Sequence, residues 1–333
     1  MNGNRIGPFS NATRNARTFL RFASHGLRGN VGNRNPLDFL LGEIKAGMLR
    51  KRARKVRRRF DAASPSEYRT PPSPAVLADV DVVSLCHAAQ IPEQKLCILS
   101  FLRHVGTPRR WLVVSDGSVT ARQAATLREL HSCVNTANWT DFISHENEAC
   151  VRELHKYTKF AKKLAVETNL PFERPTIYSD SDVVFFEGAY QLRNLLNNLQ
   201  GRSFYQQDLP GMYDPLIVTL EETKLPPANA GFTVLGKRLD WTEAMARLQA
   251  VLANLTPQKR TLDLEKLEQG TAHIAHVMNG STPLDGRYVL QISDRLQESE
   301  PVVDRSCVMR HYVRPVRHKM WKHAAEYFDR GRR

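Results

Sequence analysis

The stretch Pro175-Thr-Ile-Tyr-Ser-Asp-Ser-Asp-Val-Val-Phe-Phe-Glu-Gly188 constrains this chain more than any other. Residues 176–178 and 183–186 are β-branched and aromatic runs of the kind that form buried strands. Asp180 and Asp182 lie between them. Burying two carboxylates so close together is costly unless they are paired or coordinate a cation. Two residues apart at a strand end, they can converge on one hard divalent ion. Such an ion keeps open positions for phosphate oxygens, as magnesium and manganese commonly do. Taken alone, so short a motif more often forms a solvated turn through Ser179, Asp180 and Ser181. Its surroundings have to decide.

Those surroundings alternate strand and helix. Strands are predicted over 82–86, 111–114 and 132–134, and helices over 92–105, 120–130 and a long stretch of 145–169. Beyond the central unit come a strand over 228–235, helices over 240–254 and 263–278, and strands over 289–292 and 307–313. A basic helix starts near 317. This alternation predicts a single α/β domain over 79–333. Its central sheet is mostly parallel and covered on both faces, with ligands at the carboxyl ends of the strands.

A chain of 333 residues with 41% apolar content has room for one such domain and an appendage. No run approaches the roughly 18 apolar residues of a membrane span. The five cysteines (Cys86, Cys97, Cys133, Cys150 and Cys307) are odd in number and form no C-x-x-C pair. That pattern points to reduced thiols and a cytoplasmic setting. The net charge of +14 is local: residues 1–75 hold 16 Lys and Arg against four acids, which leaves only +2 for the remainder. A nucleic-acid partner is therefore not expected for the body.

The charge belongs to an N-terminal extension, 1–78. Residues 1–34 are rich in Asn, Arg and Gly and are expected to be poorly ordered. Asn35, Pro36 and Asp38 then signal a helix start. Leu37, Leu40, Leu41, Ile44 and Met48 form an apolar face, ahead of a run at 50–59 in which eight of ten residues are basic. Residues 61–76 read as a Pro-rich linker, which puts the domain boundary near 78. A basic amphipathic helix over 35–60 is expected to dock peripherally on an anionic membrane surface and to take no part in chemistry. An RNA-binding tail and a helix packed on the body are the other readings.

Strand ends supply the remaining candidates. Asp116, in the turn Ser115-Asp-Gly-Ser118, stands where a carboxylate can meet a base or ribose, or simply close its own turn. Lys159, Lys162 and Lys163, spaced i, i+3 and i+4, share one predicted helical face suited to a diphosphate, although a solvated face is the commoner outcome. Gly231 within Asn229-Ala-Gly-Phe232 marks close backbone approach. Glu268 and Gln269 offer a carboxylate and an amide on one helix. The last strand delivers His311, followed by Arg317 and Lys319, with Trp321 beyond. A nitrogen ligand beside convergent cations suits a metal–diphosphate complex. His273 and His276, three apart on a helix, are weaker candidates for metal.

The order of these elements resembles the GT-A class of nucleotide-sugar glycosyltransferases, in particular the families of the glycogenin and lipopolysaccharide galactosyltransferase group. The resemblance covers roughly 80–325. It rests on the Asp-x-Asp unit, the Asn-x-Gly strand, the acidic-Gln pair and the late His-Tyr segment with its cation and Trp. It implies a hexosyltransferase-type enzyme in which Asp180, Asp182 and His311 hold Mn or Mg on the diphosphate of a nucleotide sugar, UDP-linked. It further implies that Arg317, Lys319 and Lys163 bind the same diphosphate and that Asp116 faces the nucleoside. Asn229 and Gly231 would lie on the sugar or acceptor side, with Glu268 and Gln269 near the reacting carbon. The chain departs from the pattern in having Glu268 where Asp is usual and Arg314 where Gly is common. Its first strand also lacks the usual acidic turn.

Three rivals fit parts of the chain. Asp180-Ser-Asp-Val-Val184 matches the opening of haloacid-dehalogenase phosphatases, with Asp180 as nucleophile, but no downstream acidic pair follows. A sugar nucleotidyltransferase needs a Gly-rich loop where this chain has Cys86-His-Ala-Ala-Gln90. A non-catalytic membrane- or RNA-associated protein would keep the body without its chemistry.

Overall fold

The computed structural model describes residues 36–68, 77–254, 264–291, 305–313 and 316–324. The expectations for 1–34, for the prolines at 71–74 and for Arg314 lie outside them. The chain divides into two compact units, 1–49 and 50–333. Of the first, the opening of helix α1 (Pro36–Ala62) is described, with Met48 and Leu49 exposed.

The second unit takes up α1 at Arg50 and continues with β1 (Leu77–Cys86), α2 (Ile91–His104), β2 (Thr107–Ser115), α3 (Ala121–Arg128) and β3 (Val134–Asn138). Helices α4 (Glu148–His155) and α5 (Ala161–Thr168) lead to β4 (Thr176–Ser179) and β5 (Val183–Phe185). Then come α6 (Tyr190–Asn197), β6 (Ser203–Gln207), β7 (Ala228–Leu235), α7 (Thr242–Ala253) and α8 (Leu264–Met278). Strands β8 (Thr282–Pro283), β9 (Tyr288–Gln291) and β10 (Met309–Tyr312) precede a final 3-10 helix, Arg317–Lys322. Local chemistry sets several boundaries. Thr120 and Gln123 form a reciprocal capping box that opens α3. Pro92 and Glu93 sit in the first turn of α2, with Arg103 and His104 in its last, as the helix dipole favours.

A seven-stranded sheet has the order β3-β2-β1-β4-β7-β6-β8. Strands β3, β2, β1 and β4 run parallel. β7 is antiparallel to both β4 and β6, and β8 is parallel to β6. The expected mostly parallel α/β sheet is what forms. Alternation along β1 sends Val80 and Val82 to one face and Val83 to the other, and both faces are covered. On one face Phe101 of α2 meets Trp111 and Phe185 edge-on, each at 5.1 Å between ring centroids. On the other, Tyr178 and Val114 pack against Leu164 of α5 and Ile274 of α8.

The central apolar runs do not pair with each other. β4 belongs to the large sheet, whereas β5 lies antiparallel to β10 in a separate sheet of order β5-β10-β9. The chain crosses between sheets at residues 180–182, and backbone bonds pin both ends of the crossing. Asp180 N donates to Gly231 O of β7 (2.8 Å), and Tyr312 N of β10 donates to Asp182 O (2.8 Å).

One expectation changes. The helix predicted over 145–169 breaks into α4 and α5, so Lys159 falls in the link between them and the three lysines do not share one helix. The compact unit that holds the sheets takes in the chain from Arg50. Ala53 and Phe60 of α1, with Ala63 and Tyr68, are buried against Leu96, Leu99, Tyr312, Met320 and Trp321. Phe60 meets Trp321 edge-on at 5.6 Å and lies tilted against Tyr68 at 4.9 Å. The side of α1 that carries Ala53, Val56 and Phe60 is therefore spent on the body, and the exposed side over 50–59 is basic. Removing the fully buried Phe60 ring should cost about 3–5 kcal/mol as a large-to-small core change. Urea unfolding of Phe60→Ala measures this, and a loss below about 1 kcal/mol would mean that the helix is only lightly docked.

Candidate active site

The crossing between the sheets places Asp180 at the end of β4 and Asp182 at the start of β5, while β10 brings His311 alongside. One ligand atom from each of the three lies within 4.8 Å of the others. His311 Nε2 is 3.2 Å from Asp182 Oδ1 and 3.7 Å from Asp180 Oδ2. The other ring nitrogen, Nδ1, is 3.1 Å from Gln206 Oε1. The Gln206 amide is itself oriented by donation from Nε2 to Tyr288 O at 3.3 Å. Gln206 therefore accepts from Nδ1–H, which leaves Nε2 facing the two carboxylates. A cation seated among the three would be met by Nε2, and a carbonyl holding the remote nitrogen of a ligating histidine is a recurrent feature of metal sites. Two carboxylates and an imidazole suit Mn or Mg.

Gly231 makes this approach possible. A Cβ there would stand 2.1 Å from His311 Cε1 and 2.8 Å from both Asp180 Oδ2 and Asn229 Oδ1. The glycine lies in an otherwise fully buried strand and leaves the space that the imidazole enters.

Cations offset the acidic charge. Arg317 donates from Nε to Asp182 Oδ2 at 2.8 Å, and its Nη2 meets the same oxygen. Burial opposes charge on Asp182, but Arg317 and His311 outweigh it and hold the carboxyl below its ordinary range. Lys163 Nζ is 3.3 Å from Asp180 Oδ2 and 3.8 Å from Glu268 Oε1. Burial works against its charge too, and Asp180, Glu268 and Glu167 more than compensate, so the ammonium is held above its usual value. Tyr178 Oη donates to Asp180 Oδ1 at 3.0 Å. Both oxygens of Asp180 thus have partners.

A second cluster borders the first. Asn229 Nδ2 donates to Asp208 Oδ2 (2.8 Å), and Asn229 Oδ1 accepts from Gly231 N (2.8 Å). Asp208 Oδ2 and the Ala228 carbonyl can only accept, so the Gln269 amide nitrogen faces them at 3.0 and 3.2 Å. Burial pushes the Asp208 carboxyl up, against the hydrogen bonds from Leu209 N and Asn229. Glu268 and Gln269 are adjacent on α8 and so diverge, one toward Lys163 and the other toward Asp208.

Asp116 stands apart from both clusters. Its Oδ1 accepts from Ser118 N at 2.9 Å and from Ser118 Oγ, and Lys162 Nζ lies 4.0 Å from its Oδ2. Lys162 also lies over the Trp139 ring at 5.3 Å. Lys319 is half-buried on the 3-10 helix two residues beyond Arg317. His273 and His276 are engaged elsewhere: His273 with Ala228 N and Glu222 O, His276 with Ser281 Oγ. Gln206, Asp208 and Tyr178 are the site residues that sequence reasoning missed. The one available signal was a run of polar residues, Gln206-Gln207-Asp208, ending an apolar strand.

No protein-family model matches the chain, and no curated protein matches its sequence. Several solved structures are similar to it. Mouse xyloside xylosyltransferase 1 in its apo form is 14% identical, with 71% of this chain and 97% of that chain covered and a TM-score of 0.42. The galactosyltransferase LgtC in complex with donor and acceptor sugar analogues is 9% identical, with 74% and 95% covered and a TM-score of 0.47. The glycosyltransferase GlyE of Streptococcus pneumoniae is 11% identical, with 74% and 60% covered and a TM-score of 0.47.

Placing a methyl group in the space that His311 occupies should displace the imidazole and crowd Asp180 Oδ2 as well. Gly231→Ala is expected to weaken Mn binding by about 10–100-fold, as loss of a ligand's support commonly does. Titration followed by the paramagnetic signal of free Mn measures it. Unchanged affinity would mean that His311 is not a ligand.

Proposed function

We propose that this chain is a metal-dependent glycosyltransferase that moves a sugar, of the hexosyl kind, from a UDP-sugar to an acceptor. The observation that carries the reading is His311 Nε2 facing Asp180 and Asp182 while Gln206 holds its other nitrogen. Asp180, Asp182 and His311 would hold Mn or Mg. When bound, the ion supplies Lewis-acid neutralisation of charge on the departing diphosphate.

The chain's own groups do the rest. Arg317 pairs with Asp182, from where it can donate to diphosphate oxygens, with Lys319 on the same helix as a second cation. Lys163, fixed between Asp180 and Glu268, keeps positive charge beside Asp180. Asp116, at the carboxyl edge of β2, faces the nucleoside. Asn229 and Gly231 form the floor on the sugar side. Glu268 and Gln269 lie beneath the reacting carbon, with Gln269 fixed through Asp208. Docking on an anionic membrane stays part of this reading. It now rests on the exposed basic side of α1 over 50–59, since the opposite side packs on the body.

UDP should bind only with Mn or Mg present, and Asp182→Asn should lower donor hydrolysis by roughly 10²-fold or more, because it removes a ligand that supports leaving-group stabilisation. Calorimetry with and without chelator, alongside a screen of nucleotide sugars for metal-dependent hydrolysis, checks both. Equal UDP affinity in excess chelator would remove the reading. Turnover of p-nitrophenyl phosphate through a phospho-aspartate at Asp180 would replace it with the phosphatase. For the membrane, co-sedimentation with anionic liposomes should fall steeply with salt and with Ala substitution of Lys51, Arg54, Lys55 and Arg58. Binding that ignores both would end that part of the reading.

A further inference from the structure

Arg57 of α1 lies within the basic run, yet it does not face solvent with its neighbours. Its guanidinium donates from Nε to Glu93 Oε1 (2.6 Å), from Nη2 to Glu93 Oε2 (2.8 Å) and from Nη2 to the Ala89 carbonyl. It also lies over the Trp321 ring, 5.9 Å from the centroid. Ala89 precedes Gln90 in the turn that follows β1, and Glu93 lies in the first turn of α2. Trp321 is on the same 3-10 helix as Arg317. One side chain therefore touches the turn before α2, the start of α2 and the helix that carries Arg317.

The Gln90 turn and that 3-10 helix meet on Arg317. A guanidinium has only donors, so the Gln90 amide oxygen must face it, and it accepts from Arg317 Nη1 (2.8 Å) and Nη2 (3.0 Å). The same guanidinium reaches Asp182 Oδ2 through Nε at 2.8 Å. Arg317 is thus clamped between Gln90 and a candidate metal ligand, and Arg57 braces both the Gln90 turn and the Trp321 helix.

We propose that Arg57 is a positioning residue for the candidate active site: it ties α1 to Arg317 through the Gln90 turn and Trp321. This rests on the function proposed above only in giving Arg317 a ligand to bind. It makes α1 part of the catalytic frame. The arrangement needs a forked cation, since a lysine in place of Arg57 cannot span Glu93 and the Ala89 carbonyl together.

A double-mutant cycle tests the link, read as Mn-dependent UDP affinity of the full-length protein. Arg57→Ala should weaken binding about tenfold and Arg57→Lys nearly as much. Gln90→Ala leaves α1 untouched and should reproduce the loss. In an Arg317→Ala background, Arg57→Ala should have no further effect. A merely structural role would lower affinity by the same factor in both backgrounds and would overturn the proposal, as would wild-type affinity in Gln90→Ala. Hydrogen exchange over 317–322 reads the same cycle with no ligand present. Faster exchange in both Arg57→Lys and Gln90→Ala supports the link, and unchanged exchange overturns it. A wild type that binds no UDP would defeat the function reading, while exchange would still decide this one.

Discussion

Two carboxylates held two residues apart in a buried turn repel one another, and much of what surrounds residues 180–182 offsets that repulsion. Arg317 takes one oxygen of Asp182, His311 approaches the other, and Lys163 and Tyr178 each take an oxygen of Asp180. These partners come from α5, β4, β10 and the final 3-10 helix, so four separate parts of the sequence meet at one charge problem. Burial makes every term larger, because charges in a poorly solvated turn are weakly screened. The pairing also explains why a buried Asp182 can stay ionised. The same balance keeps Asp180, Asp182 and His311 close enough together to meet one cation.

Backbone geometry fixes where that balance sits. Asp180 hangs from the large sheet by its bond to Gly231 O, and Asp182 hangs from the small sheet by its bond from Tyr312 N. Gly231 serves twice, as the acceptor for Asp180 and as the position whose missing Cβ admits His311. Below it, Asn229 and Asp208 continue the hydrogen bonding to Gln269, so that β7 supports both clusters from one strand.

Much of this could be read in advance, and the failures have physical causes. The β-branched runs around 176–186 identified two strands and the acidic turn between them. Nothing in an apolar run encodes its partner, however, and the placement of β5 in another sheet was out of reach. Lys159 was assigned to a helical face because residues 156–160 contain no Gly or Pro to signal the break before α5. Gln206 and Asp208 were missed because their roles depend on His311 and Asn229, partners that only the folded sheet brings near. In α1, eight basic residues in ten drew attention to charge. Ala53 and Val56 within that run and Phe60 just after it, spaced three and four apart, carried the docking face. Arg57 was counted with the charge but behaves as part of the body.

The crossing at 180–182 has a mechanical consequence. The three candidate ligands are divided between the layers: Asp180 is anchored to the seven-stranded sheet, and Asp182 and His311 to the three-stranded one. A sliding of one sheet past the other by a fraction of an ångström changes the separation between Asp180 and its two companions and leaves Asp182 and His311 in register. An ion held by all three would bridge the two layers, and its binding would then resist shear between them.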